Sequence, residues 1–246
     1  MPNVNLLKGD CLELMKNIPD RSIDMVLCDL PYGTTANKWD IVIPFDKLWE
    51  QYRRIIKNNS AIALFGQEPF SSRLRLSNDK MYRYDFVWEK SRATGFYNAN
   101  KMPLRCKENI TIFYKHLPTY NPQKTKGSPY YHKATKNRSG SIYISNSKST
   151  DTQNDGDRYP RDVIKFNNVI SSLLHPTQKP VPLLEYLIKT YTCEGETVLD
   201  NCMGSGSTGV AAVNLNRSFI GMELDCDYFK IAEQRINEAR RNVEIF

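Results

Sequence analysis

One segment near the C-terminal end of the chain constrains the fold more than any other. Residues 198–200 have the pattern of a short apolar strand, and glycines recur from Gly204 to Gly209, around the start of a helical pattern. A strand that passes through a glycine-rich turn into a helix lets the backbone approach a ligand closely and points the first N–H groups of the helix at it. The segment therefore predicts an α/β fold that binds a ligand at the carboxyl end of this strand.

Strand and helix patterns also alternate along both ends of the chain. Strands are predicted at residues 4–7, 23–28, 60–65, 197–199 and 219–222, and helices at 12–18, 45–56, 182–191, from about 207 and from about 227. The run at residues 23–28 is mostly apolar, which suits a strand buried on both faces of a sheet. This alternation predicts a Rossmann-like α/β fold with a mixed, mostly parallel sheet.

The middle of the chain has a different composition. Between residues 91 and 172 glycine, serine, asparagine, proline, tyrosine and lysine dominate, and only residues 109–115 have a clear strand pattern. From Arg92 to Lys165 there are fourteen lysines or arginines against five acids, which leaves +9, compared with +7 for the whole chain. Cations interleaved with tyrosines suit the phosphates and bases of a nucleic acid, although a solvated, partly disordered surface is the alternative.

Several classes of protein are excluded by composition. The six cysteines are scattered without a close pair, which matches neither a zinc site nor the disulfide framework of a secreted protein. Residues 1–5 lack the layout of a signal peptide, and the chain has no run of about 18 apolar residues. The sequence therefore predicts a cytoplasmic protein without a metal centre and without a membrane partner.

Glu223 adds a second part to the predicted ligand site. It ends the strand pattern that follows the glycines, where a carboxylate can accept both hydroxyl hydrogens of a ribose, and Asp200 can bind the positive amino group of an amino-acid-like ligand. The P-loop pattern is absent, which makes ATP a poor fit. The glycines also match the loose Gly-x-Gly-x-x-Gly pattern of dinucleotide sites, so a nicotinamide-dependent oxidoreductase is an alternative.

A four-residue motif, Asp29-Leu30-Pro31-Tyr32, follows the apolar run at residues 23–28. The Asp29 carboxylate and the Leu30 carbonyl can each accept a hydrogen bond from an amino group, and Tyr32 can stack on a base. Two acceptors in set positions favour a tetrahedral amino nitrogen whose lone pair points at a methyl donor. A proline-containing turn after a strand, without a catalytic role, is the simpler alternative.

Five motifs in this order resemble the amino-methylating DNA methyltransferases that have an Asp-Pro-Pro-Tyr-type catalytic motif and the β-type motif order. They are residues 7–11, 29–33, 175–180, 200–209 and 219–223, so the resemblance covers nearly the whole chain except its middle third. Leu30 replaces the first proline of the family motif. Because the acceptor at that position is a backbone carbonyl, we expect activity to persist with some added freedom in the loop.

The resemblance implies a methyltransferase fold, S-adenosylmethionine as the donor, S-adenosylhomocysteine as the product and double-stranded DNA as the substrate. Residues 1–90 would form the catalytic part of one domain, 91–172 a basic target-recognition insertion, and 173–246 the donor-binding part. Catalysis on a flipped-out base is assigned by resemblance to Asp29, Leu30, Pro31 and Tyr32. Donor binding is assigned to Asp10, Cys11, His175, Thr177, Lys179, Asp200, Met203, Gly204, Gly206, Ser207, Thr208 and Glu223.

Within the donor site, the resemblance places Asp10 and Cys11 at the adenine, Glu223 at the ribose, and Asp200 and Lys179 at the methionine end. The expected target is N6 of adenine, because in this family aspartate at the first motif position favours adenine and serine favours cytosine. N4 of cytosine is the alternative, and RNA or protein glutamine is a weaker one.

Two further hypotheses assign the protein to a different functional class. A C5-cytosine enzyme would need a nucleophilic cysteine, usually after a proline, and no cysteine here follows one. A non-catalytic protein that senses S-adenosylmethionine would keep the glycines without needing Asp29 and Tyr32. The recognition sequence, a homodimer, a partner restriction endonuclease and the choice between a bacterial and a phage-encoded protein stay open.

Overall fold

The computed structural model of the protein describes residues 2–34, 40–134, 151–169 and 178–244. The chain forms two compact units, of which one combines Met1–Asn121 with Asp162–Phe246 and the other is Pro122–Arg161. The larger unit contains an eight-stranded sheet, and the smaller contains two pairs of short strands. None of the helices in the described part of the chain combines the length and the apolar character that crossing a membrane requires.

The elements are numbered in chain order. The strands are β1 (Val4–Lys8), β2 (Ile23–Cys28), β3 (Ile56–Gly66), β4 (Tyr82–Thr94), β5 (Arg105–Phe113), β6 (Thr125–Lys126), β7 (Tyr130–His132), β8 (Thr152–Asn154), β9 (Asp157–Arg158), β10 (Val163–Phe166), β11 (Thr197–Asp200) and β12 (Ser218–Glu223). The helices are α1 (Cys11–Met15), α2 (Phe45–Ile55), α3 (Phe70–Ser77), α4 (Val181–Tyr191), α5 (Ser207–Asn214) and α6 (Cys226–Glu244), and one turn of 3₁₀ helix spans Phe96–Asn98.

The strand order of the large sheet is β1-β12-β11-β2-β3-β5-β4-β10. Adjacent strands are parallel except at β5, which is antiparallel to both β3 and β4. Parallel neighbours need a crossover connection, which helices commonly supply, whereas β4 and β5 are antiparallel neighbours joined directly as a hairpin. The expected α/β class with a mixed, mostly parallel sheet is confirmed.

Helices cover both faces of this sheet because successive residues of a buried strand point to opposite faces. In β2, Met25 and Leu27 belong to one apolar cluster, whereas Val26 and Cys28 belong to a second one. The first cluster also contains side chains of α4, α5 and α6, and the second contains side chains of α1, α2 and α3. The apolar run at residues 23–28 is therefore a central strand, as its composition predicts.

The middle of the chain differs from the sequence-based expectation. The interpretation that residues 109–115 are the one clear strand between 91 and 172 is wrong, because β4 continues to Thr94 and β10 (Val163–Phe166) lies in the main sheet. Alternating apolar residues at Tyr82, Tyr84, Phe86 and Trp88 are the signal that could have revealed β4. The boundaries of a target-recognition region at residues 91 and 172 stay a prediction.

The smaller unit is held together by polar and cation–π contacts. Its strands β6 and β9 pair antiparallel, as do β7 and β8. Arg158 lies over the ring of Tyr130 and Lys124 over that of Tyr159, each at 4.9 Å. The described residues of this unit contribute no side chain to the buried apolar core. The described part of this unit is therefore held by strand pairing and by charged and aromatic surface groups.

Candidate active site

Four acidic side chains stand at the carboxyl ends of four adjacent strands. In sheet order they are Asp10 after β1, Glu223 in β12, Asp200 in β11 and Asp29 after β2. These strands are parallel neighbours, so their carboxyl ends lie at one edge of the sheet. We call this edge the catalytic edge. It joins the motif expected to act on the target with the motifs expected to bind the donor.

Asp29 is the centre of a network of charged side chains. Its Oδ2 accepts a hydrogen bond from Lys179 Nζ at 2.5 Å, and its Oδ1 lies 2.6 Å from the hydroxyl of Tyr32. Glu108 Oε1 lies 3.1 Å from the same Lys179 Nζ and 2.9 Å from the same hydroxyl. Lys90 Nζ donates to Glu108 Oε2 at 2.6 Å. Two carboxylates are therefore balanced by two ammonium groups in a mostly buried site.

The two carboxylates of this network have unequal pKa values. At Glu108 burial opposes ionisation, but the attraction of Lys179 and Lys90 outweighs it and lowers the pKa to about 2. At Asp29 burial, together with the negative charge of Glu108, outweighs Lys179, so the pKa of Asp29 is raised. A proton that enters the network therefore binds to Asp29 first.

Sequence reasoning missed Glu108 and Lys90. Glu108 lies on β5 in alternation with Ile110 and Ile112, so the three side chains share one face of the strand, and a charged side chain on a buried face must find a partner. That is the signal that could have identified it. Lys179 was expected at the methionine end of the donor, and the structure places it against Asp29 and Glu108.

The rest of the catalytic motif is anchored in the apolar core. The side chain of Leu30 is only 3% exposed, so it holds the loop at the position where we expected added freedom. Pro31 is partly buried, and the ring of Tyr32 stacks on that of Phe70 with 4.9 Å between the ring centroids. The hydroxyl of Tyr32 is thereby directed at the carboxylates of the network.

The glycine-rich turn between β11 and α5 packs closely against α6. Gly204 and Gly206 have φ angles of 51° and 79°, in the left-handed region that favours glycine. A Cβ atom on Gly206 would lie 2.9 Å from the Cα atom of Ala232. Gly204 N–H donates to Glu223 Oε2 at 2.9 Å, and the preceding Met203 is buried. The turn is therefore attached to both β12 and α6.

Asp200 is buried beside this turn. Its Oδ1 accepts a hydrogen bond from the backbone of Cys202 at 3.1 Å, and the Thr208 hydroxyl is a second partner of the carboxylate. Burial outweighs these contacts and raises the pKa of Asp200 to about 6. Ser207 begins α5 next to it, 3.2 Å from Nη1 of Arg235. A positively charged ligand group would favour the ionised form of Asp200.

Glu223 and Asp10 are oriented by backbone N–H groups. Glu223 accepts from Gly204 on one oxygen and from Asp225 on the other at 2.8 Å, and Asp10 accepts from Leu12 at 2.8 Å as the N-cap of α1. Each carboxylate oxygen can accept two hydrogen bonds. The Leu224 N–H is a further partner of Glu223, which still keeps acceptor capacity for a hydroxyl of a ribose, and this supports the fit of a nucleoside here.

Cys11 belongs to a group of three thiols at the catalytic edge. Cys202 is the hydrogen-bond partner of both Cys11 and Cys28. Burial raises the pKa of Cys28 to about 12, and the pKa values of the other two thiols are also raised, so all three stay protonated near neutral pH. Among the described residues, no group of three or more histidines, cysteines or acids is arranged to hold a metal ion.

His175 and Thr177, both expected to bind the donor, lie outside the described residues. The other expected site residues fall into two neighbouring groups. Asp29, Leu30, Pro31, Tyr32 and Lys179 lie around the end of β2, whereas Asp10, Cys11, Asp200, Met203, Gly204, Gly206, Ser207, Thr208 and Glu223 lie around the ends of β1, β11 and β12. The role of each residue stays a prediction.

A mostly parallel sheet with an antiparallel strand next to β3, and with a glycine-rich turn and an acidic strand end on adjacent strands, defines a Rossmann-like α/β protein with a ligand site at the carboxyl ends of its strands. Residues 23–234 match the family model described as DNA methylase. The chain belongs to this family, the DNA amino-methyltransferases of the N6-adenine or N4-cytosine type. The family depends on S-adenosylmethionine. The expected family is thereby confirmed.

Two curated relatives are similar along most of their length. The chain is 28% identical to the type II methyltransferase M.HinfI of Haemophilus influenzae over 96% of the chain and 69% of that protein. It is 26% identical to the type II methyltransferase M.HpaI of Haemophilus parainfluenzae over 94% of the chain and 74% of that protein.

Solved structures share the fold at low sequence identity. The complex of M1.HpyAVI with SAM has a TM-score of 0.64 at 23% identity and covers 95% of this chain and 99% of its own. The cytosine-N4-specific PvuII DNA methyltransferase has a TM-score of 0.68 at 17% identity, covering 99% and 93%. TTHA0409 of Thermus thermophilus, complexed with S-adenosyl-L-methionine, has a TM-score of 0.63 at 18% identity, covering 97% and 96%. The expected methyltransferase fold is confirmed.

Proposed function

We propose that this protein transfers a methyl group from S-adenosylmethionine to N6 of adenine in duplex DNA. The observation that carries the proposal is the Asp29 carboxylate, which stands at the same sheet edge as Asp200 and Glu223. The proposed acceptor for the target amine is thus next to the two proposed acceptors for the donor. The choice of adenine rests on aspartate at the first position of the motif.

The donor-binding residues form a row along the catalytic edge. S-adenosylmethionine supplies the methyl group when it is bound. Glu223 would accept from its ribose hydroxyls, Asp10 and Cys11 would contact its adenine, and Asp200 would pair with its amino group. The turn and the start of α5 would surround the methionine end, through Met203, Gly204, Gly206, Ser207 and Thr208.

Asp29 would act on the target amine. A base inside a duplex cannot reach this edge, so the adenine must flip out of the stack. Each carboxylate oxygen accepts two hydrogen bonds, so Asp29 can bind the amine while it keeps Lys179 and Tyr32. The carboxylate stabilises positive charge as it develops on the nitrogen. Because the pKa of Asp29 is raised, it can also take the proton that the methylated nitrogen releases.

Methyl transfer to unmethylated genomic DNA tests the proposal. Tritiated S-adenosylmethionine is the donor, and the labelled nucleosides are identified by mass spectrometry after digestion. Wild-type protein should form N6-methyladenine. Asp29→Ala should lower the rate by at least about 100-fold, the usual loss of one charge-stabilising group, and should still bind S-adenosylhomocysteine in calorimetry.

Asp20→Ala is the matched control, because Asp20 is exposed and pairs with Arg54 away from the site. It should methylate DNA at the wild-type rate. N4-methylcytosine as the product would assign the sister activity instead. Wild-type protein that binds S-adenosylhomocysteine but labels no DNA would instead favour a non-catalytic protein that senses S-adenosylmethionine.

A further inference from the structure

The hairpin that joins β4 to β5 projects from the catalytic edge. β3 is parallel to β2, and β5 is antiparallel to both β3 and β4, so β4 runs in the same direction as β2 and β3. The end of β4 and the start of β5 therefore lie at the same edge as Asp29. We call residues 91–107, between Lys90 and Glu108, the β4–β5 arm.

The base of this arm is part of the catalytic network. Lys90 and Glu108, the residues that flank the arm, are paired at 2.6 Å, and Glu108 also contacts Lys179 and Tyr32. Asn168 braces the first residues of the arm, since its Oδ1 accepts from the backbone of Arg92 at 3.0 Å. The arm is thus anchored to the groups that hold Asp29.

All residues of the arm are exposed, and its composition is unusual for an exposed segment. It contains Arg92, Lys101, Arg105 and Lys107 and no acidic residue. Its tip follows Gly95 and carries Phe96 and Tyr97, which are 79% and 104% exposed. Adjacent large aromatic side chains in water mark a surface that is covered by a partner. The four cations identify that partner as a polyanion rather than a second copy of this basic chain.

The dimensions of the arm fit a DNA duplex. Strand β4 continues from Ser91 to Thr94, which is opposite Arg105. Four strand residues at about 3.3 Å each raise the tip by about 13 Å, compared with about 8.5 Å for the depth of the major groove. Proteins that open the stack of bases insert apolar side chains between base steps and hold the flanking phosphates with cations.

We propose that the β4–β5 arm enters the duplex beside the target base, with Phe96 and Tyr97 in the space that the flipped base leaves. The cations of the arm bind the flanking phosphates. This proposal rests on the proposed function, because it assigns to the arm the opening of the same duplex that Asp29 acts on. It also explains why the arm is anchored to the catalytic network, since the aromatic side chains at its tip and the Asp29 carboxylate must act on the same nucleotide.

The test compares two duplexes that contain the methylated site mapped in labelled genomic DNA. One is fully matched, and the other has a mismatch at the target base, which lowers the energy of flipping. The double variant Phe96→Ser/Tyr97→Ser should lower kcat/KM at least about tenfold on the matched duplex, since unstacking a step costs a few kcal/mol and about 1.4 kcal/mol corresponds to tenfold. On the mismatched duplex the variant should come within about threefold of wild type.

The control is the double variant Leu76→Ser/Leu117→Ser. These side chains are 80% and 78% exposed, and they lie on α3 and beyond the other end of β5. The control should behave as wild type on both duplexes. Binding of S-adenosylhomocysteine should be unchanged in both variants.

Several results would overturn the proposal. Wild-type kinetics of Phe96→Ser/Tyr97→Ser on the matched duplex would remove the arm from the reaction. An equal loss on both duplexes would show that the arm does not assist flipping, and a simultaneous loss of a dimer in light scattering would assign its tip to self-association. A failure of the proposed function is distinct, because then wild-type protein would label no DNA or would label cytosine instead of adenine.

Discussion

Protonation of a few buried side chains governs the chemistry that this site can perform. Asp29 and Glu108 share Lys179, but Glu108 has Lys90 as an additional partner. Burial raises the pKa of Asp29 in spite of Lys179, whereas at Glu108 the two ammonium groups together outweigh burial and lower the pKa to about 2. Glu108 and Lys90 therefore act as positioning residues, because they set the charge state and the place of Lys179 and Asp29.

Removal of the positive charge of Lys179 and removal of the negative charge of Glu108 should shift the pH dependence of kcat in opposite directions. Protonated Asp29 accepts the target amine poorly, so kcat should fall as the pH drops through the pKa of Asp29. Lys179→Met removes the cation that lowers this pKa and should shift the acidic limb to higher pH. The double variant Lys90→Met/Glu108→Gln removes the Glu108 carboxylate, which raises the pKa of Asp29, together with the Lys90 ammonium group that pairs with it. This variant should shift the acidic limb to lower pH. Shifts in the same direction would contradict the network as described.

The raised pKa of Asp200 leads to a separate prediction about donor binding. Its pKa of about 6 means that it is protonated below that pH and cannot pair with an ammonium group. Binding of S-adenosylhomocysteine should therefore weaken as the pH falls below about 6 and should release protons to the buffer near that pH, because the bound ammonium lowers the pKa. Calorimetry in two buffers measures both effects. Asp200→Asn should bind weakly without this pH dependence, and an unchanged pH profile in that variant would assign the effect to another group.

At the scale of elements, the turn between β11 and α5 is constrained both by its backbone angles and by its contact with α6. Its glycines adopt left-handed backbone angles, and Gly206 packs directly on Ala232 of α6. This close approach fixes the start of α5 next to Asp200. The arrangement follows from local conformation and from helix packing together.

A pair of glycine variants separates these two contributions. Gly195→Ala and Gly206→Ala change residues with φ angles of 80° and 79°, but only Gly206 has atoms within 4 Å of the added Cβ. Gly195→Ala should lower the free energy of unfolding by about 1–2 kcal/mol, the penalty of a left-handed residue. Gly206→Ala should lower it further in urea denaturation and should weaken S-adenosylhomocysteine binding. Equal stability losses and unchanged binding would show that the contact with α6 is unimportant.

Sequence patterns predicted the elements that surround the site better than those in the middle of the chain. The strand at residues 23–28 was predicted with its observed bounds because a mostly apolar run of this length suits a strand buried on both faces. The strand β4 was missed because its alternation of apolar and polar residues ends at Trp88, where the charged and polar residues 89–92 begin. Its pairing with β5 also depends on residues that are distant from the catalytic motifs. The antiparallel hairpin could not be predicted from the βαβ pattern.

At the scale of the whole molecule, the excess of basic residues and the acidic residues of the site lie in different parts of the chain. The basic middle region includes the β4–β5 arm in the larger unit and the whole of the smaller unit. The four acids of the catalytic edge come from the two ends of the chain, which the parallel sheet brings together. Separate regions of opposite charge would thus suit the polyanionic substrate and the positive amino group of the donor in the proposed reaction.

The sequence by itself determined the fold class, the family and the motifs that carry Asp29, Asp200 and Glu223, because each of these depends on local patterns of a few residues. Only the tertiary structure decided that Lys179 and Glu108 meet Asp29 and that the β4–β5 arm rises from the same edge. Those relations join residues that are far apart in the chain. Strand order and register, which no local pattern encodes, determine which of them become neighbours.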